Sequence, residues 1–383
     1  MNGESYFNFI QEAKLFMSKN NENNFVDYKM PEKDSLLVAK QREYLSIAMQ
    51  KAFENLDDNL VKFESKYSCN GLKVNWAVDY DDVLNKLRSI ISKRKVKTAN
   101  YSNHYIYKEI GLEDLLKKEK VKYTENIADI NFIDVDMLVS ETGSLLVLDS
   151  KMDKTKRINS GSINVFIIGL ERVIKSLNDA EIYWKVMYSL PEKKYDTPIL
   201  LKPKNKENDY LFILDNGRTN MFSMKKQRIA LTCLHCGECK KVCPVYNTVG
   251  DVSYNNVFTG PIGNIMLPFF EDISSYKFTP YACLLCGNCE KVCPVLLPLK
   301  DLILENRIYL FESKNVDSSD KKRYGTYKTT AISRKKMNRS KFFRKLALKR
   351  FLTKPLRKKR KFPELSKTTF NQQYIQATQN ESK

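Results

Sequence analysis

Nine cysteines occur among the 383 residues, and eight of them fall into two copies of one pattern. The first copy reads Cys233-Leu-His-Cys236-Gly-Glu-Cys239-Lys-Lys-Val-Cys243-Pro244. The second reads Cys283-Leu-Leu-Cys286-Gly-Asn-Cys289-Glu-Lys-Val-Cys293-Pro294. Three thiolates separated by two residues each can wrap one iron–sulfur cubane and hold three of its irons. Gly237 and Gly287 let the backbone approach the inorganic sulfides and turn amide N–H groups toward them. Structural zinc is the competing chemistry, but its sites use pairs of C-x2-C hooks and need no triple followed by Cys-Pro. A disulfide framework is not favoured, because such frameworks staple small secreted domains. Cys69 alone is left over and reads as an ordinary packed or surface thiol.

Both copies match the C-x2-C-x2-C-x3-C-P run of bacterial ferredoxins, which serves a four-iron, four-sulfur cluster. In two-cluster ferredoxins the fourth cysteine ligates the other cluster, and the proline after it turns the chain away. Cluster one is therefore expected on Cys233, Cys236, Cys239 and Cys293. Cluster two is expected on Cys283, Cys286, Cys289 and Cys243. The expected cofactors are thus two 4Fe-4S clusters. The 39 residues from Pro244 through Ala282 exceed the connection of compact two-cluster ferredoxins and leave room for helices. An all-α helical ferredoxin domain is the expected architecture around the motifs.

The elements that must carry these motifs follow from periodicity. Apolar residues at helical spacing around Leu36–Lys40 and Ile47–Phe63 make the first 69 residues a helical segment. Asp81–Ile91 reads as a helix, with Asp81 and Asp82 suiting its positive end and Val83, Leu84, Leu87 and Ile90 on one face. Ile133–Leu138, Leu145–Asp149 and Ile163–Ile168 are short apolar runs bounded by turn residues, the pattern of buried strands. Glu171–Leu177 and Ala180–Tyr188 read as helical, and Tyr210–Asp215 as a further strand. Alternating strands and helices predict an α/β domain. The expected division is 1–69 helical, 70–222 α/β, 223–312 cluster-binding and 313–383 a basic tail.

Several segments in this order resemble the lactate-utilisation iron–sulfur subunit family of the LutB/LldF type. They are Ser140-Glu-Thr-Gly-Ser144, Ile163-Asn-Val-Phe-Ile-Ile-Gly169-Leu-Glu-Arg-Val, Leu214-Asp-Asn-Gly-Arg218, both cysteine motifs and Gly260-Pro-Ile-Gly263. Asn75-Trp76-Ala77 and Glu109-Ile-Gly111-Leu112 extend the likeness upstream. The resemblance implies a LUD-type α/β domain, related to isomerase and CoA-transferase-like folds, fused to a helical ferredoxin module. It also implies an electron-transfer subunit, with other subunits of a lactate-oxidising complex as partners. The chain would relay electrons rather than be the whole dehydrogenase. Two places depart from the family: Tyr101-Ser-Asn-His104 stands where relatives carry a Lys-Ser-Lys-Ser run, and only Lys120–Ile130 fills a longer family stretch. A related reading changes the substrate to glycolate or another 2-hydroxy acid. No Gly-rich dinucleotide fingerprint is visible, so a flavin or nicotinamide would come from a partner.

Charge sets apart one region. Lys and Arg exceed Asp and Glu by 65 to 45, giving +20, yet 19 of the basic residues fall within residues 321–361, which hold no acid. The rest of the chain is near neutral, which disfavours nucleic acid as a partner and leaves that reading on the tail alone. Within the tail, Phe342, Phe343, Leu346, Ala347, Phe351 and Leu352 alternate with basic residues over Ser340–Leu352, predicting an amphipathic helix. A solvated basic tail is as good a reading as the functional ones together; among those, docking on a partner comes first and peripheral membrane contact second. No secretory or membrane-spanning stretch is visible, so the expected location is cytoplasmic, with the inner face of the membrane as a variant. Of the remaining residues, Ser140–Ser144 reads as a tight turn between strands and Arg218 as a surface salt-bridge residue. His235 reads as solvated filler between cluster ligands, and His104 as isolated.

Overall fold

The computed structural model describes residues 36–69, 72–191, 197–202, 207–251, 254, 256–271, 273–312, 322, 325, 328–329, 332–333, 368 and 370–381. The chain divides into two compact units, residues 1–315 and 316–383. The second contains the helix Phe370–Glu381. The amphipathic helix expected over Ser340–Leu352 lies outside the described residues. Among the described residues no helix is long and apolar enough to cross a membrane.

The first unit is built on a six-stranded parallel sheet. Its strands lie in the order β1 (Val74–Ala77), β10 (Asp209–Leu214), β7 (Ile163–Gly169), β4 (Ile130–Asp134), β2 (Thr98–Asn100) and β3 (Lys122–Tyr123). Strands buried on both faces read as unbroken apolar runs, and β7, Ile-Asn-Val-Phe-Ile-Ile-Gly, is buried along its whole length. Side chains alternate between the faces. Ile163, Val165 and Ile167 join a core with α3 (Tyr80–Arg94) and α5 (Leu112–Lys118), whereas Phe166 and Ile168 face the opposite core. Val83, Leu87 and Ile91 of α3 are buried, and Leu84 and Ile90 pack partly buried against the same core. Asp79 caps this helix by accepting from the Asp82 N–H at 3.0 Å.

A second, mixed sheet carries β8 (Val173–Ile174), β5 (Met137–Val139), β6 (Ser144–Asp149) and β9 (Thr197–Leu201). Its core is shared with α1 (Leu36–Glu54), α2 (Leu56–Ser68) and α7 (Leu177–Tyr188), through Leu45, Met49, Phe53, Phe63 and Tyr183. The short α6 (Asp153–Ile158) follows β6.

Two expectations need correcting. The single strand expected over Ile133–Leu138 is the end of β4 and the start of β5, broken at Val135 and Asp136 where the chain passes from one sheet to the other. The helix expected over Glu171–Leu177 is instead strand β8 with its approach. Val173 and Ile174, both β-branched, pair with β5, and the helix begins only at the Ser176–Asp179 capping box. The Ser140–Ser144 segment is the turn of the β5–β6 hairpin. Its Ser140 hydroxyl donates to Asn59 Oδ1 at 2.9 Å, and a Cβ on Gly143 would meet the Tyr67 backbone nitrogen at 2.5 Å.

The region around the cysteines is helical. The short α4 (Tyr105–Glu109) lies between β2 and β3 in the chain, and after the parallel sheet come α8 (Arg218–Phe222), α9 (Glu238–Lys241), α10 (Pro244–Val249), α11 (Gly260–Phe270), α12 (Ile273–Tyr276), α13 (Asn288–Lys291) and α14 (Leu299–Glu312). Helices thus occupy the spacer between the motifs. Pro268 lies inside α11 and cannot bond the Asn264 carbonyl one turn back. The buried Asn306 amide of α14 takes its place, donating to Asn264 O at 3.2 Å and Ile265 O at 2.9 Å.

Candidate functional site: two cysteine loops at the sheet edge

The two cysteine motifs adopt the same backbone. In each, the residue two after the first cysteine is left-handed, His235 at φ 53° and Leu285 at φ 55°. Its N–H donates to that cysteine's Sγ, at 3.4 Å in the first loop and 3.3 Å in the second. Gly237 and Gly287 follow at φ 82° and 76°, opening α9 and α13. A Cβ on Gly237 would meet no protein atom within 4 Å, so within the protein the glycine is required by its left-handed backbone rather than by lack of space. The fourth cysteines also accept from the chain that follows them: Tyr246 N–H to Cys243 Sγ at 3.5 Å, and Leu297 N–H to Cys293 Sγ at 3.4 Å.

Each fourth cysteine lies near the triple of the other loop. Cys293 lines one cavity of about 90 Å³ with Cys233, Cys236 and Cys239. Burial first, then mutual proximity, pushes these thiols up, Cys233 to about 12 and Cys236 to about 11, with Cys293 contributing to both. In the second loop burial and the proximity of Cys283, Cys243 and Cys286 push Cys289 up to about 12. Cys243 is raised by burial and by Cys283 and Cys286. Among the described residues no three His, Cys, Asp or Glu side chains converge as they would on a single metal ion. Thiols spread around a cavity suit a cluster better than a lone zinc. Cys69 is exposed, its thiol donating to Ser65 O at 3.1 Å.

Each loop is also held by an arginine that spacing did not reveal. Arg172 Nη1 donates to Cys233 O at 2.7 Å, and Arg307 Nη2 donates to Cys283 O at 2.6 Å. Arg307 further bonds Pro280 O at 2.9 Å and lies over the Tyr281 ring. Both place a guanidinium cation beside the first ligand of a loop.

The first loop lies against the carboxyl edge of the parallel sheet. There Arg218, expected at the surface, is fully buried. Its guanidinium meets Glu109 Oε1 at 2.7 Å, Glu109 Oε2 at 3.0 Å and Glu171 Oε2 at 2.6 Å, and its face lies over Phe270. Burial works against its charge, but Glu109 and Glu171 more than offset it and hold its pKa well above the arginine range. Burial pushes the Glu171 carboxyl up, and Arg218 and Arg172 pull it only part-way back. A Cβ on Gly169 would run into Glu171 Oε2 and Arg218 Nε, so the glycine at the end of β7 makes room for the ion pair. Arg218 directly follows the turn after β10, but its partners lie 109 and 47 residues away and carry no local signature.

His235 is likewise not solvated filler. It stacks on Tyr105 at 4.0 Å between centroids and tilts against Phe258 at 5.8 Å. Its enclosure, helped by Arg172, pushes the imidazole well below the usual histidine pKa. His104 is not isolated either. It flanks Tyr105 and Tyr107, and its Nδ1 is buried without a hydrogen-bond partner.

Comparison with known proteins agrees with this geometry. The family model of a 4Fe-4S dicluster domain matches residues 229–297. Lactate utilization protein B of Shouchella clausii is 26% identical over 307 residues, covering 76% of this chain and 63% of the relative. The protein of the same name from Bacillus cereus is 29% identical over 203 residues, covering 49% of this chain and 41% of its own length, as does that of Bacillus anthracis. The matches thus span between two fifths and just under two thirds of those relatives. No solved structure matches. The ordered motifs, the paired cysteine loops and these relatives agree in making the chain similar to the lactate-utilisation iron–sulfur family of the LutB type.

Proposed function

We propose that this chain is the electron-transfer subunit of a complex that oxidises L-lactate to pyruvate, relaying electrons through two 4Fe-4S clusters. The observation that carries the reading is where the fourth cysteines lie: Cys293 borders the first triple and Cys243 the second. Cluster one is assigned to Cys233, Cys236, Cys239 and Cys293, and cluster two to Cys283, Cys286, Cys289 and Cys243. Such ligand exchange ties the two centres into one folded body, as a relay requires. A bound 4Fe-4S cluster supplies reversible one-electron transfer at a potential set by charge, hydrogen bonds and solvent exposure. The chain contributes all three: backbone N–H groups aimed at Cys233 and Cys283, the Arg172 and Arg307 cations, and unequal burial of the loops.

The α/β region is read as a LUD-type domain and the helices beyond residue 222 as a helical ferredoxin module. The names of the relatives favour lactate over glycolate as the substrate of the assembly. The basic tail is read as a docking segment for a partner subunit. The test is anaerobic addition of L-lactate, or of glycolate, to the complex co-purified with this chain, with cluster reduction followed by low-temperature EPR. Reduction by L-lactate alone supports the assignment. Reduction by dithionite but by neither acid would sink the substrate while leaving a cluster protein.

A further inference from the structure

Arg172 keeps hydrogen-bond donors that its own fold does not use. It is 4% exposed, and its three hydrogen bonds go to neutral acceptors: Nε to Asp136 O at 3.1 Å, Nη1 to Cys233 O at 2.7 Å and Nη2 to the Tyr183 hydroxyl at 2.9 Å. A guanidinium has five N–H donors, so two remain. The neighbouring Glu171 is bound to Arg218 at 2.6 Å. The Asp136 carboxylate accepts from the Leu148 N–H at 2.8 Å and from Tyr183 at 3.4 Å. The Glu171 and Asp136 carboxylates favour the charge of Arg172 from nearby, but its hydrogen bonds go to other groups, so the two remaining N–H donors suit the oxygens of an anion.

A cleft of about 280 Å³ reaches Arg172. Lys108 and Lys240 add positive charge to its lining and Asp136 and Glu238 negative charge, Met187, Leu190 and Val257 give it an apolar side, and Cys236 forms part of its wall. Its position follows the rule for parallel sheets, which bind ligands beyond the carboxyl ends of their strands. Asp136 lies just after β4, Arg172 just after β7 and Lys108 in the helix after β2. The volume sits just below the ~300–1,000 Å³ usual for small-molecule pockets.

We propose that this cleft binds a small organic acid as its carboxylate anion, with Arg172 as charge partner, Lys108 and Lys240 at the entrance, and the hydrocarbon end against Met187, Leu190 and Val257. The bound acid would lie against the Cys236 segment of the first cysteine loop. Binding itself stands apart from the electron-relay reading; only its consequence for the first cluster rests on that reading.

The test uses the full-length holoprotein, purified anaerobically without partners and titrated calorimetrically with sodium acetate, pyruvate and L-lactate. Sodium chloride and phosphate at matched ionic strength serve as controls. The proposal expects saturable binding of at least one carboxylate, loss of it in Arg172→Gln, and severalfold weakening in Lys108→Glu. Lys108 is exposed, so the second variant keeps the test valid if the first does not fold. An EPR-monitored redox titration is expected to show the bound carboxylate moving the midpoint of one cluster and not the other. No saturable binding, equal binding of phosphate, or unchanged affinity in Lys108→Glu would overturn the proposal. So would an Arg172→Gln variant that shifts a cluster midpoint while leaving carboxylate binding intact, for then the counter-charge of Arg172 is the cluster itself. Carboxylate binding without lactate-driven reduction in the complex would leave this site standing and remove only the functional reading.

Discussion

The two cysteine loops share their spacing, their left-handed residues, their N–H···Sγ bonds and an arginine on the first carbonyl, yet they sit in opposite surroundings. Leu234, after the first cysteine of loop one, is 5% exposed, while its counterpart Leu284 is 70% exposed. Cys236 is half-buried beside the carboxylate cleft, whereas Cys286 is exposed. Loop one abuts Tyr105 and the Glu109–Arg218–Glu171 group of the α/β region, and loop two is backed by α1 through Ser46, which donates to Val295 O at 2.8 Å. After Cys243 the proline opens α10 directly, but after Cys293 the chain stays irregular until α14. The comparison teaches that the repeated motif fixes what each loop can hold, while the surrounding fold decides what each can reach. Loop one faces inward to the sheet edge and loop two outward, an order suited to passing electrons from an interior site to a partner surface.

The largest expected effect comes from breaking one loop at a time. Cys239→Ser and Cys289→Ser should each lose about four irons, roughly half the total, with opposite halves of the EPR signal surviving. Cys293→Ser should then resemble Cys239→Ser, and Cys243→Ser should resemble Cys289→Ser; the reverse pairing would refute the exchange of fourth cysteines. Next is the buried ion group beneath loop one. Arg218→Leu leaves Glu109 and Glu171 facing each other without their cation, and removing one partner of such a group costs about 3–5 kcal/mol. Thermal unfolding should show that loss, with the first cluster's signal falling before the second's. A smaller contrast lies in exposure: anaerobic ferricyanide should destroy the second cluster's signal severalfold faster than the first's. The smallest is electrostatic. Arg307→Gln removes a positive charge beside Cys283, so reduction of the second cluster becomes harder and its midpoint should move more negative, with the first unchanged in the same redox titration.

Much of this was legible in the sequence because it is local. Triple cysteine spacing, a Gly in the turn and a Pro after the fourth ligand are encoded within a dozen residues, and the apolar runs of β6, β7 and β10 announced buried strands. The α/β sheet with a helical region after it was accessible for the same reason. What stayed hidden depends on distant partners. Arg218 beside an Asn-Gly turn looks like a surface residue until Glu109 and Glu171 close around it. His235 between two ligands looks solvated until Tyr105 arrives from α4, 130 positions earlier. Val173 and Ile174 satisfy a helical pattern as readily as a strand, and only pairing with β5 decides. Arg172 and Arg307 belong to no spacing rule, since each reaches its cysteine carbonyl through the fold.

The most direct test of the two-cluster account is iron and acid-labile sulfide analysis of the anaerobically purified full-length protein, combined with low-temperature EPR after dithionite reduction. The account predicts about eight irons and about eight sulfides per chain, with the spin-coupled signals of two reduced cubanes close together. Stoichiometric zinc in place of iron, with no EPR signal on reduction, would contradict it and leave the eight cysteines as structural ligands.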